Sequence, residues 1–327
     1  MRSILNRLPI DTYTIFLILT VGLATVLPVS GDPAYYVSRL SYAAVALLFF
    51  LYGAKLKSDA IIAGITNWKL QGLLLSTTYL LFPLLGLAFT YFARSGLPEP
   101  LIIGFIFLAI LPSTVQSSIA LTAMAGGNVS ASICAASLSN MLGVVLTPLL
   151  AALLLSTGGV KIDTDSVLRI ALQLLLPFVV GQLCRPLIGA WIERNKTLTM
   201  IVDRGSILLI IYSAFSAGMV AGIWSQIDGL ALTLLIVMSI VLLVAVILAM
   251  RWVGRLAGLS REDSISLLFC GSQKSLASGV PMANILFAGS PVSMIILPIM
   301  LYHQFQLLLC AAIASRCTKT ATRPLEA

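Results

Sequence analysis

The chain reads as an all-α membrane protein of ten transmembrane helices, arranged as two inverted five-helix repeats. Three observations predict this. Of its 327 residues, 59% are hydrophobic and 10% charged, with a mean hydropathy of +1.04, and a soluble domain carries far more charge. Runs of about 20 apolar residues, long enough to cross roughly 30 Å of hydrocarbon, recur from end to end. A polar interruption of such a run occurs twice, about half a chain apart. The apolar runs are continuous rather than alternating, which excludes an outer-membrane barrel. They leave no room for a sizeable soluble domain.

The first span, 12–30, follows Arg2 and Arg7. Its apolar stretch is long and Pro28-Val29-Ser30-Gly31 lacks an Ala-x-Ala site, so it reads as a retained helix rather than a cleaved signal. Spans 35–54 and 70–93 are plain apolar runs. Span 100–126 carries the first interruption and passes through a short uncharged turn into 128–156. Spans 166–187 and 204–224 flank Gly189 to Thr199, where Trp191, Ile192, Leu198 and Arg194 suggest a cytoplasmic linker lying along the interface. Span 229–250 precedes 264–288, which holds the second interruption, and 291–315 closes the set.

Charge placement fits an even count. One side holds Arg2, Arg7, Lys55, Lys57, Lys69, Arg185, Arg194, Lys196, Arg204, Arg251, Arg255, Arg261, Arg316, Lys319 and Arg323, 15 in all, and the other holds Arg39, Arg94, Lys161 and Arg169. That bias sets both termini in the cytoplasm of a cell (inner or plasma) membrane. It accounts for the net charge of +8 without a nucleic-acid partner. All twelve Asp and Glu fall in loops, tails or first turns, Asp203 being nearest to burial. A coupling site built on a central carboxylate is therefore absent. The five cysteines have no ligand spacing and read as small apolar fillers. With one histidine there is no transition-metal site, and no phosphate-binding loop of the Walker type points to ATP.

The two interruptions resemble each other. Leu111-Pro112-Ser113-Thr114-Val115-Gln116-Ser117-Ser118 and Cys270-Gly271-Ser272-Gln273-Lys274-Ser275 both set a Gln among small hydroxyl residues, with Gln116 and Gln273 157 positions apart. Downstream, Ala125-Gly126-Gly127-Asn128 is echoed by Ala288-Gly289-Ser290-Pro291. Two halves, 1–160 and 161–327, follow. Five spans is an odd number, so the second half enters the membrane upside down, a build common among secondary transporters. Pro112 cannot sustain the helical ladder and Gly271 is a poor helix former. Non-helical backbone at this depth is tolerated only in protein or beside a water-filled cavity. Spans four and nine are thus expected as pairs of half-helices, whose inner ends carry partial charges that make an ion and substrate site.

Lys274 is the one basic residue that cannot be placed near a membrane surface; Ser264 to Phe287 holds no other charge. An ionisable side chain there costs about 2.5–3.5 kcal/mol on insertion scales, and such residues face a partner, a cavity or a substrate path. The candidate substrate and ion-binding residues are Ser113, Thr114, Gln116, Ser117 and Ser118 in the first break and Ser272, Gln273, Lys274 and Ser275 in the second. Ser132 and Asn140 in the fifth span join them. His303, in the tenth, is read either as a packing histidine or as a pH-sensing group.

On the ten-span layout, Pro112 to Ser118, Gly127-Asn128-Val129 and Gly271 to Ser275, nearly the whole chain resembles the bile acid:sodium symporter family, in its SBF-like branch within the cation/proton antiporter and anion transporter superfamily. The resemblance implies a core domain in which the broken helices four and nine cross, beside a panel domain, both drawn from the two repeats. It also implies that Ser117 and Ser118 stand where sodium symporters carry a sodium-binding Ser-Asn pair. Ser132 matches a further hydroxyl ligand, and Gln273 matches a glutamine beside a second sodium. Two departures follow. The family's sodium-binding Glu, four residues before the glutamine, is Phe269, and the Asn after it is Lys274. The sodium site has lost its carboxylate and gained a cation.

The expected function is secondary transport of a small organic anion by alternating access, without a cofactor, with the Lys274 ammonium standing in place of a bound sodium. The alternatives are a sodium- or proton-coupled symporter of a sterol-like or keto-acid anion, a membrane enzyme using a Ser117/Lys274 dyad, and a receptor or scaffold without transport.

Overall fold

The computed structural model describes residues 12–55, 67–155, 164–222, 225 and 227–321. Arg2, Arg7, Lys57, Lys161 and Arg323, five of the charges used to orient the chain, lie outside them. Among the described residues the regular structure is helical throughout: α1 Thr12–Val26, α2 Asp32–Lys55, α3 Trp68–Ala93, α4 Glu99–Ile110, α5 Gln116–Met124 and α6 Val129–Leu155. The chain continues with α7 Thr164–Arg194, α8 Lys196–Val220, α9 Gly229–Leu256, α10 Arg261–Ser272, α11 Leu276–Leu286 and α12 Val292–Ala321. Seven of these are long and apolar enough to cross a membrane: α2, α3, α6, α7 from Leu174, α8, α9 and α12. Two shorter apolar helices, Ile15–Val26 and Glu99–Ile110, accompany them. The chain is a multi-pass membrane protein.

Local signals set the helix boundaries. Asp228 caps α9 by accepting from the Ala231 N–H, and Ser260 caps α10 by accepting from Asp263. Glu262 and Asp263 in the first turn of α10 complement its dipole. Gly126 and Gly289 turn the chain after α5 and α11 at φ 72 and 85, which a side chain would resist. Asn128 then ties the turn before α6 to α10: its N–H donates to Glu262 O, its Nδ2 donates to the Asp263 carboxylate at 2.9 Å, and its Oδ1 accepts from Ala131.

The linker expected at Gly189 to Thr199 is instead helix. α7 runs to Arg194 and α8 begins at Lys196, with Asn195 alone between them. The reason is that helical hydrogen bonds carry straight into and out of the corner, from Asn195 N–H to Trp191 O and from Thr199 N–H to Asn195 O. No proline after Pro186 interrupts them.

Two packed groups emerge. α1, α2, α7 and α8 lie against one another, and α3–α6 with α9–α12 form the larger group. Within the first, a Cβ at Gly53 would run into the Phe178 main chain, and one at Gly181 into that of Phe50. α2 and α7 thus meet backbone to backbone, as small residues permit in membranes. Within the second, Gly104 does the same against Ile295, seating α4 on α12. Large apolar side chains left exposed, such as Leu187, Phe92 and Trp252, suit lipid.

Candidate functional site

The first break has a steric cause. Leu111 precedes Pro112, and a residue before proline is pushed out of the helical region. It is extended, at φ −70 and ψ 154. The last carbonyls of α4 then lack helical donors. Leu108 O accepts from Leu111 N–H at 3.3 Å and Ile110 O from the Thr147 hydroxyl at 3.0 Å. Ala109 O and Leu111 O are left for something else.

The second break supplies it. α10 ends at Ser272, Gln273 is extended at φ −102 and ψ 143, and Ser275 starts α11 by accepting from Ser278 N–H. Lys274, in the non-helical stretch between these points, reaches across to α4. Its Nζ donates to Leu111 O at 2.7 Å, Ala109 O at 2.8 Å and Thr78 O at 2.9 Å. Three protons meet three acceptors. The Phe82 ring lies 4.1 Å from the nitrogen on a further side. Lys274 is 1% exposed. Desolvating an ammonium costs several kcal/mol. Charge-assisted bonds worth about 1.5–3 kcal/mol each, a cation–π contact worth about 2 kcal/mol when desolvated and the negative end of the α4 dipole oppose that cost.

The third carbonyl is free because of a defect in α3. Thr77–Leu81 forms a π turn in which Phe82 N–H donates to Thr77 O, one residue further back than in an α-helix. In that register the donor for Thr78 O would be residue 83, which is Pro83 and has no N–H.

The breaks also bond directly. Ser275 N–H donates to Pro112 O at 2.9 Å and Ser113 Oγ to Cys270 O at 2.6 Å. Thr114 and Ser117 both donate to Gln273 Oε1, at 2.5 and 2.7 Å, while the Gln273 Nε2 is buried without a partner. The long helix after each break completes the hydrogen bonding. From α6, Ser139 Oγ accepts from Ser113 N–H at 3.0 Å and Asn140 Nδ2 donates to Ser113 O at 2.8 Å; Asn140 Oδ1 accepts from Ser278. From α12, Gln306 bonds both main-chain groups of Lys274, and Tyr302 donates to Ser272 O at 2.8 Å.

Of the sequence-derived candidates, Ser113, Thr114, Ser117, Gln273, Lys274 and Asn140 converge on this crossing. Ser275 is an N-cap and Ser272 bonds back to Leu268 O at 2.6 Å. Ser118 turns back to Thr114 O, and Ser132 donates to Thr122 at 3.1 Å, so neither meets Gln273. Ser117 and Lys274 direct their hydrogen bonds to different partners and form no dyad. His303 lies beside Gln306. Sequence reasoning missed Gln306, Thr147, Phe82 and the Thr78 carbonyl.

Gln116 is exposed and borders a cavity of about 800 Å³ with Lys55, Gln182, Arg185, Lys196 and Asp203. Three cations line it, Lys55, Arg185 and Lys196, against the two carboxylates of Glu193 and Asp203. Lys55 is ion-paired with Asp203, joining α2 to α8.

Known proteins match this chain along almost its whole length. The SBF-like CPA transporter family covers residues 11–319. An uncharacterized protein of Pseudomonas aeruginosa is 49% identical over 307 residues, 94% of this chain and 92% of its own length. YfeH of Escherichia coli is 46% identical over 318 residues, 97% and 96% of the two chains. Sodium/bile acid cotransporter 7 of Rattus norvegicus is 30% identical over 313 residues, 94% and 92%. Two helix breaks joined through a buried lysine thus lie within a chain that belongs to the SBF-like CPA transporter family.

Proposed function

We propose that this protein is a secondary transporter of a small organic anion, working by alternating access, in which the Lys274 ammonium holds the place that a coupling sodium would otherwise take. The observation that carries this reading is the Nζ seated on the carbonyls of Thr78, Ala109 and Leu111 at 2.7–2.9 Å. A cation tethered there compensates the negative end of α4 in every turnover and is never released. On this reading ten spans form two inverted repeats, with α4–α5 and α10–α11 as broken spans four and nine. The group α1, α2, α7 and α8 is then the panel and the larger group the core, with both termini in the cytoplasm. The cavity bordered by Gln116, Arg185 and Lys196 lies between them, and its excess of cations suits an anion. With both termini in the cytoplasm, this topology opens the cavity to the cytoplasmic side.

Sodium coupling is the second reading. The name of the rat relative favours it, and so do the clustered oxygens of Thr114, Ser117 and Gln273. One measurement separates the two. Purified protein in lipid nanodiscs is unfolded thermally in sodium chloride and in choline chloride at equal ionic strength, and uptake of bile-acid and keto-acid anions into proteoliposomes is followed in the same two salts. A tethered cation predicts equal melting temperatures and equal uptake. Stabilisation by sodium of more than about 3 °C, or uptake that stops in choline, would establish sodium binding instead.

A further inference from the structure

Lys274 lies between α10 and α11, outside both helices, so its own N–H and C=O have no helical partners. One side chain meets both. Gln306 on α12 accepts from Lys274 N–H through Oε1 at 2.8 Å and donates from Nε2 to Lys274 O at 3.0 Å. Gln306 is fully buried. The pairing fixes which end of the carboxamide is which, since an N–H must face oxygen and a carbonyl must face the NH2. The second Nε2 proton then has His303 Nδ1 at 2.9 Å. That ring nitrogen must be the acceptor, so His303 is neutral and carries its proton on Nε2.

We propose that Gln306 is a positioning residue. Its carboxamide replaces the missing helical partners of Lys274 and holds the unwound peptide where Nζ reaches Thr78, Ala109 and Leu111, while His303 keeps the carboxamide the right way round. The inference rests on the reading of Lys274 as the tethered cation of transport, but its tests do not.

His303 is the one histidine among the 327 residues, so a histidine-labelled sample carrying a non-histidine tag reports this ring alone. Solid-state nitrogen NMR of the protein in bilayers at pH 8 is expected to show Nε2 protonated and Nδ1 bare; a proton on Nδ1 overturns the proposal. Gln306→Met keeps length and removes both bonds. It is expected to raise amide exchange at Lys274 and acylation of its amine at least about tenfold, with the rest of α12 unchanged. Exchange and acylation at wild-type levels, or a uniform rise along α12, overturn it. Gln306→Glu keeps only the acceptor: the Lys274 amide stays protected and the His303 proton moves to Nδ1. An unmoved tautomer in that variant counts against the clamp even if the Met variant does not fold. Should Gln306→Met expose Lys274 while Lys274→Met transports normally, the clamp stands and the cation reading falls.

Discussion

The two helix breaks are built alike and finished differently. In each, a long helix downstream supplies side chains to the unwound main chain: Ser139 and Asn140 serve Ser113, and Gln306 serves Lys274. The open carbonyl ends differ. The end of α10 is closed by neutral hydroxyls, Ser113 on Cys270 O and Tyr302 on Ser272 O. The end of α4 is closed by the Thr147 hydroxyl on Ile110 O and by the Lys274 side chain on Ala109 O and Leu111 O. Hydroxyls serve Cys270 O and Ser272 O at one end, whereas a lysine side chain is added at the other.

The largest effect that sharpens this contrast is expected from Lys274→Met. It leaves three buried carbonyls without donors and should cost about 3–5 kcal/mol, read as the midpoint of denaturant unfolding in micelles. Transport should fall with it, and stability within about 1 kcal/mol of wild type would break the comparison. Next is Asn140→Leu, which strands Ser113 O and leaves the Ser278 hydroxyl with Ser275 alone; it should cost about 1–2 kcal/mol by the same unfolding curve. Ser113→Ala, the neutral counterpart of removing Lys274, should cost about 1 kcal/mol. If it matched Lys274→Met, the two ends would be equivalent after all. The smallest effect is expected away from both breaks. Lys55→Met removes the ion pair with Asp203, whose side chains are 32% and 17% exposed, and should cost no more than about 1 kcal/mol, less in high salt.

Much of this architecture was legible in the sequence, because its causes are local. Pro112 unwinds α4 through Leu111, and Lys274 is conspicuous as a charge in an apolar run. The Gly126 and Gly289 turns follow from conformational freedom that only glycine has. What stayed hidden depends on partners far away in the chain. Gln306 reads as one more polar residue in a helix until Lys274 unwinds beside it. Pro83 looks like an ordinary kink, and only a change of helical register turns it into a free Thr78 carbonyl. Ser132 and Ser118 share the composition of the site but face other groups, since a hydroxyl in a helix binds the preceding turn as readily as a neighbour. The corner at Asn195 was misread because polar residues suggested a linker where helical hydrogen bonds run on through Asn195.

The glycine contact between α2 and α7 has a mechanical consequence. Two helices whose main chains interlock at Gly53 and Gly181 have no side-chain cushion to shear, so they travel as one plank. The give must lie where that plank meets the rest. There Tyr52, one residue before Gly53, reaches across to Ala277 O at 3.2 Å, next to the start of α11. Movement of the plank against the larger group would part this phenol latch and leave the plank itself undeformed.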